Sequence, residues 1–128
     1  MPIPPRAKNF SITIRHRGPA SLIDVVGSLT LFESGALRQA ITNLIAEKRR
    51  DIVLNLSAVE YLDSSGIGEL VRNYLTVIKS GGTLKVVGLS DKAEEILKIT
   101  QLYKVFPEFP SEEAALKSFP ADSRPSKA

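Results

Sequence analysis

The clearest chemical signal in this sequence is the segment at 63–68, which reads Asp-Ser-Ser-Gly-Ile-Gly. It lies between a run of branched residues, typical of a buried strand, and an apolar stripe typical of a helix. Loops that leave the carboxyl end of a strand are where α/β domains place their sites. Asp63 or Ser64 has the position of a helix N-cap, so a side-chain oxygen there lies beside unpaired N–H groups at the positive end of the helix dipole.

Gly66 and Gly68 remove side chains from the start of this helix, which lets another backbone or another protein approach closely. Two glycines inside a helix lower its stability by about 1 kcal/mol each relative to alanine, which favours a functional role for the motif over a purely structural one. An ordinary N-cap followed by turn glycines is the alternative interpretation. A dinucleotide fingerprint is excluded because Val71 stands where its third glycine would be.

The rest of the sequence offers little catalytic chemistry. It has no cysteine and a single histidine, His16, which lies at the end of a predicted strand beside a turn. Carboxylates do not cluster at metal-ligand spacings, and neither a phosphate-binding loop nor a Gly-x-Ser-x-Gly elbow is present. We therefore expect no catalytic residue, no metal site and no cofactor.

Hydropathy patterns predict the elements that position the segment at 63–68. Alternation at 10–14 predicts a strand with one buried face, and a second strand at 21–26, closed by Gly27, folds back as a hairpin. Thr30 and Glu33 have the spacing of a capping box, so a helix should begin there and end near 48–50. A strand buried on both faces follows at 52–56, and a loop leads from it to the candidate site.

The second half continues the alternation of helices and strands. The predicted helix after the candidate site carries its apolar stripe on Ile67, Leu70, Val71, Tyr74, Leu75 and Ile78. A strand at 83–87, a helix capped by Ser90 or Asp91, a short strand at 105–106 and a helix capped by Ser111 complete the chain.

This order predicts a single α/β domain with a mixed β-sheet. An N-terminal antiparallel hairpin precedes parallel βαβ units, whose helices pack on the sheet. The 128 residues allow one domain, at 9–119. A flexible tail at 1–8 and a disordered tail at 120–128 flank it.

Charge and hydropathy exclude several classes of partner. The formal net charge of +3 lies in the two tails, so the body at 9–119 is neutral and a poor match to a nucleic-acid backbone. No apolar run approaches the roughly 18 residues of a membrane span. The N-terminus lacks the apolar stretch of a secretory signal, so we expect a cytoplasmic protein. From the charge and the hydropathy we expect no nucleic-acid or membrane partner. We also expect no obligate small-molecule ligand.

Several motifs together resemble the STAS domain of bacterial anti-sigma factor antagonists. They are the strand at 52–56, the Asp-Ser-Ser-Gly-Ile-Gly run, the Gly81-Gly82 pair and the Leu-Lys-Val-Val-Gly stretch at 84–88. Gly27 and the segment at 102–106 also fit, and the similarity extends from about Phe10 to Phe119. The Asp-Ser-Ser-Gly-Ile-Gly run with its preceding strand is quite specific.

The resemblance implies a partner switch rather than an enzyme. In such proteins the unphosphorylated antagonist binds an anti-sigma factor that is also a serine kinase, which releases the sigma factor for transcription. The kinase then phosphorylates the antagonist, and a serine phosphatase restores it. Carried over, the phosphoacceptor is Ser64, and the partner-binding residues are Asp63, Ser65, Gly66, Ile67, Gly68, Ser28 and Thr30.

One departure from the family keeps a second hypothesis open. After Gly27 the family commonly has a glutamate, an apolar residue and an aspartate, whereas this chain has Ser28-Leu29-Thr30. The alternative is a STAS scaffold or accessory subunit of a transporter or signalling assembly, in which Ser64 only caps a helix. Small-nucleotide binding is a weaker third hypothesis, because no basic residue adjoins the loop.

Overall fold

The computed structural model describes residues 10–30, 34–99, 101 and 108–119. Its five-stranded sheet has the order β1-β2-β3-β4-β5, with β1 antiparallel to β2 and every other neighbouring pair parallel. The predicted mixed sheet with an N-terminal hairpin is confirmed. The strands are β1 Ser11–Arg17, β2 Ala20–Leu29, β3 Asp51–Leu62, β4 Thr83–Val87 and β5 Glu108–Phe109.

Helices cover both faces of this sheet. They are α1 Ser34–Ala46, α2 Ser64–Lys79, α3 Asp91–Ile99 and α4 Glu112–Lys117. Right-handed crossovers between sequential parallel strands place α1, α2 and α3 on one face, where the larger core cluster lies. On the opposite face Ala115 of α4 packs against Leu22, Val53 and Val87.

β2 and β3 are both longer than the sequence predicted. β2 does not close at Gly27, which adopts a φ of 99°, but continues to Leu29. β3 does not end at 56, and the predicted loop after it is a strand up to Leu62. The two extensions pair with each other, with Leu29 opposite Leu62 and register shifts on the way. This mutual pairing satisfies both backbones and delivers β3 directly to Asp63.

Other boundaries were predicted with mixed success. The strand expected at 105–106 lies outside the described residues, which include a last strand, β5, at Glu108–Phe109 beside β4. Ser111 caps α4 as predicted, and of the two candidates for α3 the cap is Ser90; each hydroxyl accepts from a backbone N–H at 3.1 Å. The described part of the first helix begins at Ser34, and Glu33 of the predicted capping box lies outside the described residues, as do the tails at 1–8 and 120–128.

The apolar stripe predicted for α2 is only partly buried. Ile67 and Leu70 lie in the core, but Leu75 and Ile78 are 47% and 41% exposed. The buried face is rotated toward Asn73, which is only 3% exposed. On the edge strand β1, Ile14 is likewise 38% exposed, so the predicted burial of that strand is partial.

A polar network holds α4 on the sheet. Arg15 of β1 donates to both carboxylate oxygens of Asp24, at 2.7 and 2.9 Å, and to Glu112 at 2.5 Å. Asn55 donates to the same Glu112 oxygen at 2.7 Å. The Arg15 guanidinium holds the pKa of Glu112 below its usual value, although partial burial acts in the opposite direction. This short helix is therefore fixed by charge as well as by Ala115.

Candidate functional site

Asp63 is the N-cap of α2, which resolves the choice between Asp63 and Ser64. Its backbone is extended, with φ −110° and ψ −177°, and its Oδ1 accepts from the N–H of Gly66 at 2.8 Å. Its carbonyl oxygen accepts the first helical hydrogen bond, from Ile67 at 3.0 Å. The carboxylate thus satisfies an orphan N–H at the positive end of the helix dipole.

Ser64 is the first residue of α2, and its side chain is exposed. Within the described part of the chain its hydroxyl forms no hydrogen bond, since the capping contact belongs to Asp63. The adjacent Ser65 is also exposed. At the start of α2 the Ser64 hydroxyl is therefore accessible and is not needed to cap the helix. It lies next to the carboxylate of Asp63, which the capping contact holds in place.

The two glycines of the segment have different surroundings. Gly66 is buried, and a Cβ there would overlap the carbonyl oxygen of Leu29 and lie 2.7 Å from a methyl group of Leu62. The close backbone approach predicted at Gly66 is therefore made by the end of β2 within the same chain. Gly68 is exposed, and a Cβ there would have no neighbour within 4 Å.

Three of the predicted partner-binding residues are buried in this structure. Ile67 and Ser28 are each 4% exposed, and Gly66 is covered by Leu29. Ile67 turns inward because it lies on the same side of α2 as Leu70, and Ser28 lies within β2 rather than in a loop. The side chains of Ile67 and Ser28 therefore pack inside the free domain, and partner binding by these three positions stays a prediction.

The remaining predicted residues meet at one edge of the domain. Ser64, Ser65 and Gly68 are exposed, whereas Asp63 and Thr30 are half-buried. The contact between Leu29 and Gly66 brings the end of β2 against the start of α2.

A buried carboxylate lies one turn further along α2 and was missed by the sequence analysis. Glu69 is only 3% exposed; its oxygens accept from Arg38 of α1 at 2.6 Å and from Arg72 at 3.3 Å. The ion pair with Arg38 links α1 to α2. The i,i+3 spacing of Glu69 and Arg72 was the available signal in the sequence.

The described residues show no alternative chemical centre. None of their His, Asp and Glu side chains form a group of three or more that could hold a metal ion. His16 lies 3.1 Å from the hydroxyl of Ser21, in the hairpin of β1 and β2. A cavity of about 260 Å³ beside the end of β3 has mostly apolar walls, formed by Leu56, Val59, Glu60, Tyr61, Leu62, Leu89, Ser90 and Ala93. No described helix is long and apolar enough to cross a membrane.

Comparison with known proteins identifies the family. The family model described as STAS domain matches residues 11–115, which is most of the chain. The chain belongs to the STAS domain family. This STAS domain is 29% identical over 94 residues to the anti-sigma-B factor antagonist of Bacillus subtilis. The aligned segment covers 73% of this chain and 85% of that protein. The domain is 30% identical over 80 residues to the anti-sigma-B factor antagonist of Staphylococcus aureus, 62% of this chain and 74% of that protein.

A solved structure supports the same assignment. This STAS domain superposes on the crystal structure of an anti-sigma factor antagonist from Mycobacterium paratuberculosis with a TM-score of 0.75 and 29% identity. The match covers 86% of this chain and 93% of that chain. The predicted fold and the predicted family are therefore both confirmed.

Proposed function

We propose that this STAS domain is an anti-sigma factor antagonist whose binding to its anti-sigma factor is controlled by phosphorylation of Ser64. The observation that carries the proposal is that Asp63, and not Ser64, caps the start of α2. Asp63 caps the helix, so the exposed Ser64 hydroxyl is free to accept a phosphoryl group without loss of the cap. The sequence relationship to named antagonists supports the identity of the partner.

The electrostatics of the site explain how one phosphate separates two proteins. Phosphorylation adds about −1.5 to −2 charges at neutral pH. In the free protein this charge is tolerated, because it lies in solvent at the positive end of the α2 dipole. In a docked complex the same charge would be withdrawn from water beside the carboxylate of Asp63, which is costly without a matching cation. The unphosphorylated form therefore binds and the phosphorylated form dissociates.

The proposal includes two enzymes that act on this chain. The anti-sigma factor itself carries the serine kinase activity, and a serine phosphatase returns Ser64 to its hydroxyl form. The STAS domain is their substrate and has no catalytic step of its own. We place the switch in the cytoplasm, where a sigma factor and its transcription machinery operate.

A kinase assay tests the proposal. Each serine-kinase anti-sigma factor of the source organism is purified and incubated with ATP and the wild-type chain, Ser64→Ala or Ser65→Ala. We expect one kinase to add a single phosphate to the wild type and to Ser65→Ala, and none to Ser64→Ala. Ser65→Ala is the matched control, since it removes the neighbouring exposed hydroxyl. Transfer of phosphate to Ser64→Ala, or no transfer to the wild type by any of the kinases, would contradict the proposal.

One observation favours a second candidate, a scaffold or accessory subunit of a transporter or signalling assembly. The segment beside the site has no carboxylate at 28–30, and Ser28 is buried. In that case the chain would co-purify with a membrane transporter, and Ser64→Ala and Ser64→Asp would leave the association unchanged.

A further inference from the structure

Helix α2 presents an exposed face that continues from Ser64 along the helix. Ser64, Gly68, Arg72 and Leu75 are all exposed and follow at spacings of four, four and three residues. At 3.6 residues per turn they fall within a sector of about 80° and extend over about 16 Å of helix. We name these four residues the α2 stripe.

The far end of the α2 stripe is apolar. Leu75 is 47% exposed, and Ile78, one turn further on, is 41% exposed. Four large hydrophobic side chains are exposed in the described part of the chain, and two of them are this pair. A single exposed aliphatic residue needs no explanation, but a neighbouring pair on the helix that carries Ser64 indicates a contact surface.

The middle of the α2 stripe is basic. The charged residues of α2 are Glu69, Arg72 and Lys79, and Glu69 is buried. Arg72 is 77% exposed and reaches Glu69 only at 3.3 Å, whereas the shorter contact of Glu69, 2.6 Å, is to Arg38. Arg72 can therefore pair with a carboxylate of another protein while Arg38 still neutralises Glu69.

Gly68 joins the hydroxyl end of the stripe to its basic part. Because a Cβ at this position would meet no atom within 4 Å, the packing of the domain gives no reason for a glycine here. The missing side chain leaves the α2 backbone open to close approach from outside, between Ser64 and Arg72.

We infer that the anti-sigma factor docks along the whole α2 stripe. Its surface would lie close over Gly68, offer a carboxylate to Arg72 and place an apolar side chain against Leu75. This inference rests on the proposed function and extends its contact surface to Arg72 and Leu75, to which the sequence analysis gave no role in partner binding. It also explains release, because Ser64 then lies inside the covered surface rather than beside it.

Affinity measurements on matched variants test the inference. The dissociation constant of the purified anti-sigma factor that phosphorylates the wild-type chain is measured by titration calorimetry, without ATP. We expect Arg72→Glu and Leu75→Ala each to weaken binding about tenfold or more, a typical loss for a contact at an interface centre. The controls are Arg17→Glu, on the exposed end of β1, and Ile99→Ala, which is 75% exposed on α3; both should bind within twofold of the wild type.

The outcomes separate this inference from the proposed function. Wild-type affinity in both stripe variants, together with loss of binding in Ser64→Asp, would overturn the α2 stripe and leave the switch intact. Failure of the wild-type chain to bind any serine-kinase anti-sigma factor would overturn both. Thermal unfolding of each variant serves as the folding control. Arg72→Gln, which removes the charge without reversing it, replaces Arg72→Glu if the latter does not fold, and we expect it also to bind more weakly.

Discussion

The carbonyl oxygen of Leu29, at the end of β2, occupies the space that a side chain at Gly66 would need. This contact fixes the start of α2 against the edge of the sheet and so sets the position of Ser64 two residues earlier. The candidate site is therefore built by a backbone contact between β2 and α2.

Gly66→Ala should destabilise the domain strongly. The added Cβ overlaps backbone at Leu29, which cannot move aside as a flexible side chain would, so we expect a loss of about 2 kcal/mol or more. Chemical denaturation gives the free energy of unfolding. A variant as stable as the wild type would show that the start of α2 can shift away from β2.

Gly68→Ala should have the opposite effect on stability and a negative effect on binding. The new methyl group meets no atom within 4 Å, and alanine favours the helix by up to about 1 kcal/mol. The same methyl group would obstruct an anti-sigma factor that approaches the α2 backbone. We therefore expect a more stable protein that binds more weakly. Thr42→Ala, an exposed helix-favouring change in α1, is the control that should leave binding unchanged.

Alanine substitutions at Asp63 and at Ser64 should differ sharply in their effect on the free energy of unfolding. Asp63→Ala removes the N-cap contact to Gly66 and should cost about 1 kcal/mol. The sequence analysis left the cap to either residue; because the structure assigns it to Asp63, Ser64→Ala should change stability by less than about 0.5 kcal/mol. Equal losses in the two variants, measured by denaturation, would contradict this assignment.

The sequence predicted the local elements of the fold better than its long-range pairings. The apolar runs and caps around α2 and β4 are local signals, and both elements appear where they were predicted. The extension of β3 over 57–62 was interpreted as a loop, because its mixed composition becomes a strand only through pairing with the end of β2. The Arg15–Glu112 contact joins residues 97 positions apart, and no sequence spacing could indicate it.

The candidate site was also predicted only in part: the segment was identified, but the burial of its residues was not. The residue types and spacing at 63–68 identified the segment, and the N-cap position was narrowed to two residues. The sequence could not separate buried from exposed positions within it, because Gly66 and Gly68 look alike until the end of β2 is placed against one of them.

The contact between Arg15 and Glu112 should make stability depend on pH. The folded state lowers the pKa of Glu112 from its ordinary value of 4.5. The stabilisation is therefore complete above the ordinary pKa and is lost as the pH falls through the lower folded value. Glu112→Gln should cost on the order of 1 kcal/mol at neutral pH, and the difference from the wild type should shrink in acid. Unfolding curves between about pH 7 and pH 3 measure it, and a constant difference would show that the charge is not responsible.

Ser64→Asp should weaken binding to the anti-sigma factor, whereas Ser64→Ala should bind nearly as well as the wild type. The aspartate introduces a negative charge beside Asp63 within the docked surface, and the alanine does not. Calorimetric titration compares the three proteins. Equal affinity for all three would remove the electrostatic basis of the switch.

The most direct test of the switch is the phosphorylation state of the chain in its native cells. Intact-mass spectrometry with peptide mapping is applied to the protein isolated during growth and under stress. We expect a single phosphate on Ser64 whose occupancy changes between these conditions. A chain that carries no phosphate on Ser64 under any of them would contradict it.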